Sequence, residues 1–395
     1  MRIAISGIGV AGPALAYWLV KAGHEPLLIE RAPQLRSGGY VIDFWGLGYT
    51  LAEMMGILPA LRRVGYQVDE VRLVDAKGRK AGGFKVKAIR RMMQDRFTSL
   101  PRSALSAVIC DTIKDRVETM FGDSIAAIDE QDDGVLVEFE RSDPRQFDLV
   151  IGADGLHSVV RRLAFGAEDA YERDLGYRVA AFELAGYRPR DELTYVSFAR
   201  PGRQLARFSM REDRTLILAT FLAEHAGADP HDLAAPKPLL RRLFAGDGWE
   251  CPQILEAMEG AGEIYCDRVS QIEMPTWSKG RVGLIGDAAA CVSFLAGEGT
   301  GLALIEAYVL AGELKRAGGD YRLAFRCYQE RLEPFILAKQ KSARAFAASF
   351  SPKTAFGIWV RDQVTKLMAI PLVADFAIGR SLKDDFDLPD YGMHT

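Results

Sequence analysis

The feature that most constrains the fold of this 395-residue chain lies at its start, in RIAISGIGVAGPALAYWLVKAGHEPLLIERA. A short apolar run from Ile3 to Ser6 predicts a strand, GIGVAG predicts a tight turn, and an apolar helical stretch follows through Lys21. After Gly23, the run EPLLIE predicts a second strand that closes at Glu30. This order is typical of the β-α-β unit that binds a dinucleotide, in which glycines let the backbone approach the pyrophosphate.

The acidic residue at the end of the second predicted strand narrows the choice of nucleotide. A carboxylate at Glu30 can accept hydrogen bonds from a pair of ribose hydroxyls, which favours FAD or NAD over NADP. A tight turn in an ordinary α/β protein is the alternative interpretation of the same glycines.

A second glycine-rich loop occurs far along the chain, in GDAAACVSFLAGEGTGLALIEAYVLAGEL from Gly286 to Leu314. It contains Gly297, Gly299 and Gly301 and leads into an apolar helical stretch. Backbone N–H groups and the helix dipole at such a helix start attract negative charge. The sequence therefore predicts two anion-binding loops, each of which feeds a helix.

Composition excludes several classes of protein. Hydrophobic residues make up 49% of the chain, enough for a sizeable core, and the net charge of −3 argues against a nucleic-acid binder. The five cysteines and five histidines have no metal-like spacing. An odd number of scattered cysteines is typical of reduced thiols. Met1 leads directly into the first predicted strand and no apolar run reaches membrane-spanning length, so we expect a soluble, cytoplasmic protein.

The middle and the end of the chain differ from the flanking stretches in pattern. Between about residues 175 and 270, strand-like runs alternate with turns, which predicts a sheet-rich insert. The last segment is helical, and we expect one apolar helix face there to pack across both domains, a membrane-surface role being the alternative. The residues on that face are Phe356, Trp359, Val360, Val364 and Leu367.

Three separated motifs, GIGVAG, DLVIGADGLHSVVRR and WSKGRVGLIGDAAA, resemble in content and order those of the flavin-dependent aromatic hydroxylases, the family of para-hydroxybenzoate hydroxylase. The resemblance covers nearly the whole chain. The stretches GVAGPALAYWL and GDYRLAFRCYQERLEPF are most similar to the branch that includes tetracycline-inactivating monooxygenases.

The resemblance implies an α/β fold: a Rossmann-type FAD-binding domain with an inserted sheet-rich substrate domain and C-terminal helices. The FAD-binding domain would comprise residues 1–72, 98–174 and 269–345. The substrate domain would comprise 73–97 and 175–268, and the C-terminal helices 346–395.

The resemblance also implies a role for each motif. The first loop would meet the FAD pyrophosphate, Arg102 would lie near the ribityl chain or pyrophosphate, and Asp287 would bond the ribityl chain. Asp154 would tie its loop to FAD, and in this family the same motif is also connected with NADPH. Alternatively, Asp154 only caps the helix that starts near Ser158. The implied FAD contacts are Gly7, Gly9, Val10, Ala11, Gly12, Glu30, Arg31, Arg36, Gly39, Arg102, Asp154, Gly286, Asp287, Gly297, Gly299, Thr300 and Gly301.

The late loop departs from the family pattern. Ala290 stands where a histidine is usual, Ser293 and Phe294 stand at proline positions, Glu298 replaces glutamine and Gly301 replaces asparagine. A carboxylate at Glu298 would oppose the anionic reduced flavin unless it points away or pairs with a cation. We hypothesise that these changes tune the flavin; the alternative is that the backbone amides do the work and the side chains vary freely.

The implied activity is that of an FAD-dependent monooxygenase. NADPH or NADH would reduce FAD, O2 would form a hydroperoxide at the flavin C4a atom, and the oxygen would pass to an aromatic or polyketide-like molecule, an antibiotic being one candidate. Because the chemistry is borne by the flavin, we nominate no catalytic side chain and no metal site. The candidate substrate contacts are Phe44, Tyr177, Arg207, Thr220 and Phe294.

Two other functions stay open at this point. One is a flavin oxidoreductase that desaturates or isomerises its substrate without oxygen transfer, and the other is a non-catalytic flavin-binding protein. The expected partners are a small molecule and O2, with no nucleic acid and no membrane, and the expected state is a monomer or a homodimer.

Overall fold

The first strand, β1 (Arg2–Ser6), lies inside a sheet whose order is β17-β18-β11-β1-β2-β7. Here β2 is Glu25–Glu30, β7 Glu118–Phe121, β11 Leu149–Gly152, β17 Ser278–Lys279 and β18 Val282–Leu284. The neighbours of β1 are parallel to it, and Ile3, Ala4 and Ile5 are fully buried because helices cover the sheet. The computed structural model describes residues 1–35, 40–226, 235–294, 297–367 and 384–393.

Four helices build most of the layer beside this sheet: α1 (Ala11–Lys21), α5 (Arg102–Ile113), α10 (Gly299–Arg316) and α11 (Tyr321–Phe350). Helix α1 packs against both α5 and α10. It is apolar nearly all round, so its residues from Ala11 to Leu19 are buried. It ends where Gly23 adopts a φ of +81°, a left-handed conformation that glycine takes without steric cost.

A second sheet has the order β16-β12-β15-β14-β13-β4-β5. Its strands are β4 (Glu70–Val74), β5 (Lys80–Lys85), β12 (Glu172–Ala185), β13 (Thr194–Arg200), β14 (Arg203–Ser209), β15 (Arg214–Leu222) and β16 (Tyr265–Ile272). One face packs with Leu205 and Ile217 against α7 (Pro236–Phe244) and α8 (Cys251–Ala257). The other face carries Phe208 and Leu216 toward the domain that contains the six-stranded sheet, which we call the first domain. Side chains therefore alternate between two buried layers along β14 and β15.

The remaining elements are short strands and further helices outside the two large sheets. The strands are β3 (Val41–Trp45), paired with β6 (Phe97–Pro101), and the group β8 (Ile125–Glu130), β9 (Val135–Phe139) and β10 (Arg145–Phe147). The helices are α2 (Gly46–Met54), α3 (Leu58–Val64), α4 (Lys87–Met92), α6 (Val159–Ala164), α9 (Asp287–Ala290) and α12 (Ala355–Leu367).

The α/β fold class and the sheet-rich insert predicted from the sequence are confirmed. The insert also recruits β4 and β5 into its sheet, and β4 begins at Glu70, before the predicted boundary at residue 73. The exact domain boundaries stay predictions. Across the part of the chain that the structure describes, no helix is both long and apolar enough to cross a membrane.

One expectation about the C-terminal helices is wrong. Helix α12 packs on β5 through the side that carries Asp362 and Thr365, not through its apolar stripe. The stripe side chains are exposed, with Phe356 at 71% and Trp359 at 57%. Amphipathic spacing predicted the helix correctly but could not identify the face that packs.

Candidate functional site

The first glycine-rich loop lies between β1 and α1 and is shaped by close backbone contacts. Gly7 has a φ of +104°, and a Cβ added there would lie 2.5 Å from the carbonyl oxygen of Ala153. A Cβ on Gly12 would collide with the carbonyl oxygen of Gly7. Gly9 faces elsewhere: its Cβ would meet only Nη2 of Arg102, at 3.5 Å. Only glycine fits at Gly7 and Gly12, and the backbone N–H groups at the start of α1 suit an anion.

Glu30 closes the loop from the end of β2. Its Oε2 accepts the N–H of Ile8 at 3.0 Å, and its Oε1 accepts the N–H of Ala32 at 3.0 Å. Each carboxylate oxygen has a second lone pair, so both can also accept from hydroxyl groups of a ligand. Arg31 follows directly and is exposed.

Arg102 connects the first loop with the second. It is the first residue of α5; its backbone N–H donates to the carbonyl of Tyr40 at 3.1 Å, and its guanidinium lies 6.0 Å from the centre of the Tyr40 ring. The phenol of Tyr40 and the carboxylate of Asp287 raise the pKa of Arg102, although burial acts against them. The guanidinium of Arg102 is thus close to Gly9 of the first loop and interacts electrostatically with Asp287, at the beginning of the second.

The second loop begins at a turn that packs between two helix starts. Gly286 has a φ of +63°, and a Cβ added there would lie 3.2 Å from the Cβ of Ala11 on α1 and 3.9 Å from that of Ala303 on α10. Asp287 follows, and its Oδ1 would lie 3.6 Å from a Cβ on Gly299. The two glycine-rich loops, which are far apart in sequence, are therefore neighbours in space.

The N-terminus of α10 offers several backbone donors. Leu302 makes the first intrahelical bond, from its N–H to the carbonyl of Glu298 at 3.1 Å, so the N–H groups of Gly299, Thr300 and Gly301 have no acceptor within the helix. Gly297, with a φ of +69°, lies beside Trp45. Backbone amides and the dipole of this helix make its start suited to negative charge.

Asp154 caps a helix, as its alternative interpretation proposed. Its Oδ2 accepts the N–H groups of Val159 at 2.8 Å and Val160 at 3.2 Å, at the start of α6, and its Oδ1 accepts the hydroxyl of Ser158. The hydroxyl of Ser6 also donates to it, at 3.3 Å. A role of Asp154 toward FAD or NADPH stays a prediction. Arg36 and Gly39, also predicted as cofactor contacts, lie outside the described residues.

Three of the candidate substrate residues lie between the second sheet and the first domain. Tyr177 on β12 packs with Leu222 and Val269, and Phe294 lies against this cluster. Phe294 also contacts Tyr40, with ring centres 4.5 Å apart. Thr220 on β15 is on the same face of the sheet as Leu222, two residues away. It is 1% exposed, and its hydroxyl has no hydrogen-bond partner among the described residues.

The other two candidates have different surroundings. Phe44 is buried beside Gly48 of α2 and lines a cavity at the start of α10. Arg207 lies on the opposite face of the second sheet, where it is 2% exposed and paired with Glu250 at 2.6 Å and Asp191 at 2.6 Å. Strand alternation puts Arg207 on the same face as Leu205, against α7 and α8, and a contact of Arg207 with the substrate stays a prediction.

Sequence reasoning missed two charged residues at the second loop. Nζ of Lys339 on α11 lies 3.0 Å from Oε2 of Glu298 and 2.9 Å from Oδ1 of Asp384. Glu298 therefore has the cation partner that its position required. No local pattern marks Lys339 or Asp384. Within the described ranges, no group of three His, Cys, Asp or Glu side chains is arranged to hold a metal ion.

Comparisons with known proteins agree with this geometry. The FAD binding domain family matches residues 1–318. A flavin-dependent monooxygenase from an unknown prokaryotic organism is 33% identical over 406 residues, covering 99% of this chain and 99% of that protein. The crystal structure of tetracycline destructase Tet(55) is 31% identical, covers 98% of each chain and has a TM-score of 0.84.

A more distant structure shares the fold. Klebsiella pneumoniae HpxO, complexed with FAD and uric acid, has a TM-score of 0.79 at 20% identity, covering 98% of this chain and 97% of that one. These relatives do not favour the two alternatives, an oxidoreductase without oxygen transfer and a non-catalytic flavin binder. The chain therefore belongs to the FAD binding domain family, as a flavin-dependent monooxygenase with FAD as its cofactor and NAD(P)H as the reductant typical of that family.

Proposed function

We propose that the enzyme uses NAD(P)H and O2 to hydroxylate a planar aromatic or polyketide-like molecule, and that this substrate is an antibiotic. The observation that carries the proposal is made on the face of the second sheet that is turned toward the flavin domain. There the unpartnered hydroxyl of Thr220 lies on the same sheet face as Tyr177 and Leu222, against which Phe294 packs. A buried hydroxyl without a partner is costly unless a ligand satisfies it, and aromatic walls suit a planar molecule. The tetracycline destructase relative supports the choice of antibiotic.

The donor set fits FAD from end to end. The start of α1 suits the pyrophosphate, Glu30 suits the adenosine ribose, and the amides at the start of α10 suit the electron-rich edge of the ring system. Arg102, between the two loops, supplies a positive charge near the middle of such a molecule. When bound, FAD supplies the electron transfer and the activation of oxygen.

The chain's own residues bind, orient and exclude water. The amides of Gly299, Thr300 and Gly301 would hold the flavin edge and favour negative charge there. The hydroxyl of Thr220 orients the substrate by a hydrogen bond to a phenol, enol or carbonyl oxygen. Tyr177 and Phe294 cover the substrate plane and keep water from the reacting carbon.

The test is a screen of tetracyclines, other polyketides and simple phenols with the purified holoenzyme. NAD(P)H oxidation and O2 uptake are followed together, and the product from ¹⁸O2 is analysed by mass spectrometry. We expect one class to stimulate NAD(P)H oxidation and to gain one labelled oxygen. If turnover proceeds without O2, or if no planar compound stimulates it, the proposal fails.

A matched pair of variants tests the substrate contact. Thr220→Val removes the hydroxyl at nearly constant volume, and we expect a rise in KM of roughly tenfold, the value of one hydrogen bond. Thr220→Ser keeps the hydroxyl and should stay within about threefold of wild type, since only a methyl group is lost. Equal KM values for wild type and Thr220→Val would show that the hydroxyl of Thr220 does not contact the substrate.

Two further expectations complete the proposal. We propose a cytoplasmic location, because the cysteines Cys110, Cys251, Cys266, Cys291 and Cys327 are all free thiols. We also propose a monomer or homodimer, and sedimentation at several protein concentrations distinguishes these states from larger assemblies.

A further inference from the structure

A charged cluster lies at the start of α10, where the flavin edge is expected. Glu298 immediately precedes the helix, and its side chain is turned toward Nζ of Lys339 at 3.0 Å. Lys339 belongs to α11 and is only 11% exposed. A carboxylate at this place would otherwise weaken the attraction of the helix start for negative charge. Lys339 therefore compensates a charge that the glycine-rich loop carries by itself.

The same lysine holds a second carboxylate from the C-terminal segment. Oδ1 of Asp384 lies 2.9 Å from Nζ of Lys339, and Oδ2 of Asp384 accepts the N–H of Leu47 at 2.8 Å. Leu47 lies in the first turn of α2. A Cβ on Gly46, whose φ is +62°, would collide with the Asp384 carboxylate. The starts of α2 and α10 are thus joined through one lysine.

The segment 384–393 is held firmly on the flavin-binding domain. The hydroxyl of Tyr308 on α10 donates to the carbonyl of Pro389 at 2.9 Å, and Nζ of Lys315 donates to that of Tyr391 at 3.0 Å. Phe386 stacks on Phe335 of α11, with ring centres 5.3 Å apart. Asp384 is therefore held by a segment that packs on both α10 and α11.

The cluster borders a cavity between α2, β3 and α10. Its lining includes Trp45, Gly48, Gly297, Glu298 and Asp384. With two carboxylates and one ammonium, the cluster has a net charge of −1 when all three groups are ionised. Burial raises the pKa of Glu298, while the two carboxylates raise the pKa of Lys339 against the effect of burial. The charge that Glu298 presents to the cavity therefore depends on Lys339.

We propose that Lys339 is a positioning residue of the flavin edge: it holds Glu298 at the start of α10 against Asp384 at the start of α2, so that the C-terminal segment completes this end of the FAD site. The inference concerns the cofactor and holds whatever substrate the enzyme uses. Through this contact the cluster sets how strongly the protein prefers reduced over oxidised FAD.

The test measures the two-electron midpoint potential of bound FAD at pH 9, with reference dyes, in the purified holoenzyme. Glu298→Gln and Asp384→Asn each remove one negative charge, and we expect each to raise the preference for reduced FAD by about tenfold, or about 30 mV for a two-electron couple. Lys339→Met removes the cation, and we expect a shift of similar size in the opposite direction. Lys339→Arg keeps the cation, so its preference for reduced FAD should stay within about threefold of the wild-type value.

Opposite signs distinguish this role from a structural one, since general loosening of the site would move all variants in one direction. Among the residues that the structure describes, the charged and titratable groups around Glu298 are Lys339 on α11, Asp384 on the C-terminal segment and Asp43, which lines the same cavity from β3. Thermal unfolding of each variant checks that it is folded.

In the double variant Glu298→Gln/Lys339→Met, the preference for reduced FAD at pH 9 should return to within about threefold of the wild-type value. The negative charge removed by one change offsets the positive charge removed by the other. If Lys339→Met does not retain FAD, Glu298→Gln and Asp384→Asn decide alone. If the preference for reduced FAD changes by less than about threefold in both carboxylate variants, the proposal is overturned. Potential shifts of the same sign in all three single variants would also overturn it.

Discussion

The backbones of Gly48 and Gly301 touch: a Cβ added to Gly48 would lie 2.8 Å from the Cα of Gly301. This contact packs α2 against the start of α10, beside the amides that we assign to the flavin edge. Helix propensity alone predicts that Gly48→Ala stabilises α2 by up to about 1 kcal/mol. We expect the opposite, a loss of about 1–3 kcal/mol in the free energy of unfolding, because the added methyl group forces the helices apart. Thermal or urea unfolding of the holoenzyme measures it.

Gly262→Ala is the control for this change. Gly262 has no atom within 4 Å of its added Cβ and no left-handed φ, so the substitution should be neutral. We also expect weaker FAD binding in Gly48→Ala but not in Gly262→Ala. A Gly48→Ala enzyme as stable as wild type would show that α2 and α10 do not need this close approach.

Glu30 gives a second prediction, on cofactor affinity. In Glu30→Gln, the amide nitrogen replaces one of two oxygens that accept backbone N–H groups from Ile8 and Ala32, and the ribose loses an acceptor. We expect the Kd for FAD of the apoprotein to rise roughly tenfold, or about 1.4 kcal/mol. Glu25→Gln, at the exposed start of the same strand, is the matched control and should leave the Kd unchanged. Fluorescence titration with FAD measures both.

A third prediction concerns pH and the loop after Asp154. His157 bridges Asp267 on β16 at 3.1 Å and Glu168 at 2.9 Å, and hydrogen bonds to these two carboxylates raise its pKa from 6.5 to about 9. Because the folded state binds this proton more tightly, the contribution of His157 is fully present below pH 6.5 and is lost as pH rises through about 9. We expect the melting temperature of wild type to fall across that window.

His157→Gln should show a smaller fall between pH 6.5 and pH 9, since it has no proton to lose. The side chain is 45% exposed, so solvent screening keeps the effect modest. The carboxylates Glu168 and Asp267 have lowered pKa values, and their contributions change only at acid pH. Parallel curves for the variant and wild type would contradict the ion bridge.

The fourth prediction uses a buried acid under the second loop. Glu306 on α10 accepts the N–H of Gly286 and the hydroxyl of Tyr328, and burial raises its pKa to about 8. The folded state keeps this proton while the unfolded chain loses it, so wild type loses stability from about pH 4.5 up to about pH 8. Glu306→Gln avoids that loss and should raise the free energy of unfolding at pH 8 by at least about 1 kcal/mol.

Glu313→Gln is the contrasting control on the same helix. Glu313 is also buried, but it pairs with Arg316 at 3.3 Å and Arg331 at 3.2 Å, and its loss should destabilise the protein. Urea unfolding at pH 5 and pH 8 tests both variants. If Glu306→Gln is less stable than wild type at pH 8, Glu306 is ionised in the folded protein and our assignment is wrong.

The part of the site near the chain start could be predicted because each boundary has a local signal. Ser6 precedes the glycine turn, α1 runs to Lys21, and β2 closes at Glu30, as the sequence pattern indicated. The turn between β8 and β9, at Asp132 to Gly134, carries a local signal of the same kind. Glycine, strand alternation and helical spacing act over a few residues, so a single sequence carries this information.

The remaining features depend on contacts between distant segments. The pairing of Lys339 with Glu298 and Asp384 joins three separate regions, and an isolated lysine on a helix has no pattern that identifies its partners. The surroundings of Arg207 could not be predicted for a related reason, because strand alternation separates two faces but does not say which face meets the flavin domain. The stripe on α12 likewise indicated a helix and not its neighbour.

The central claim is that two glycine-rich loops, distant in sequence, hold two parts of one FAD, the pyrophosphate in its middle and the ring system at one end. A crystal structure of the purified yellow holoenzyme tests this most directly, through the electron density of the bound flavin. We predict the pyrophosphate against Gly7–Gly12, with Arg102 beside it, and the pyrimidine edge of the ring system against the amides of Gly299, Thr300 and Gly301. Density that places the ring system away from the start of α10 would contradict the account.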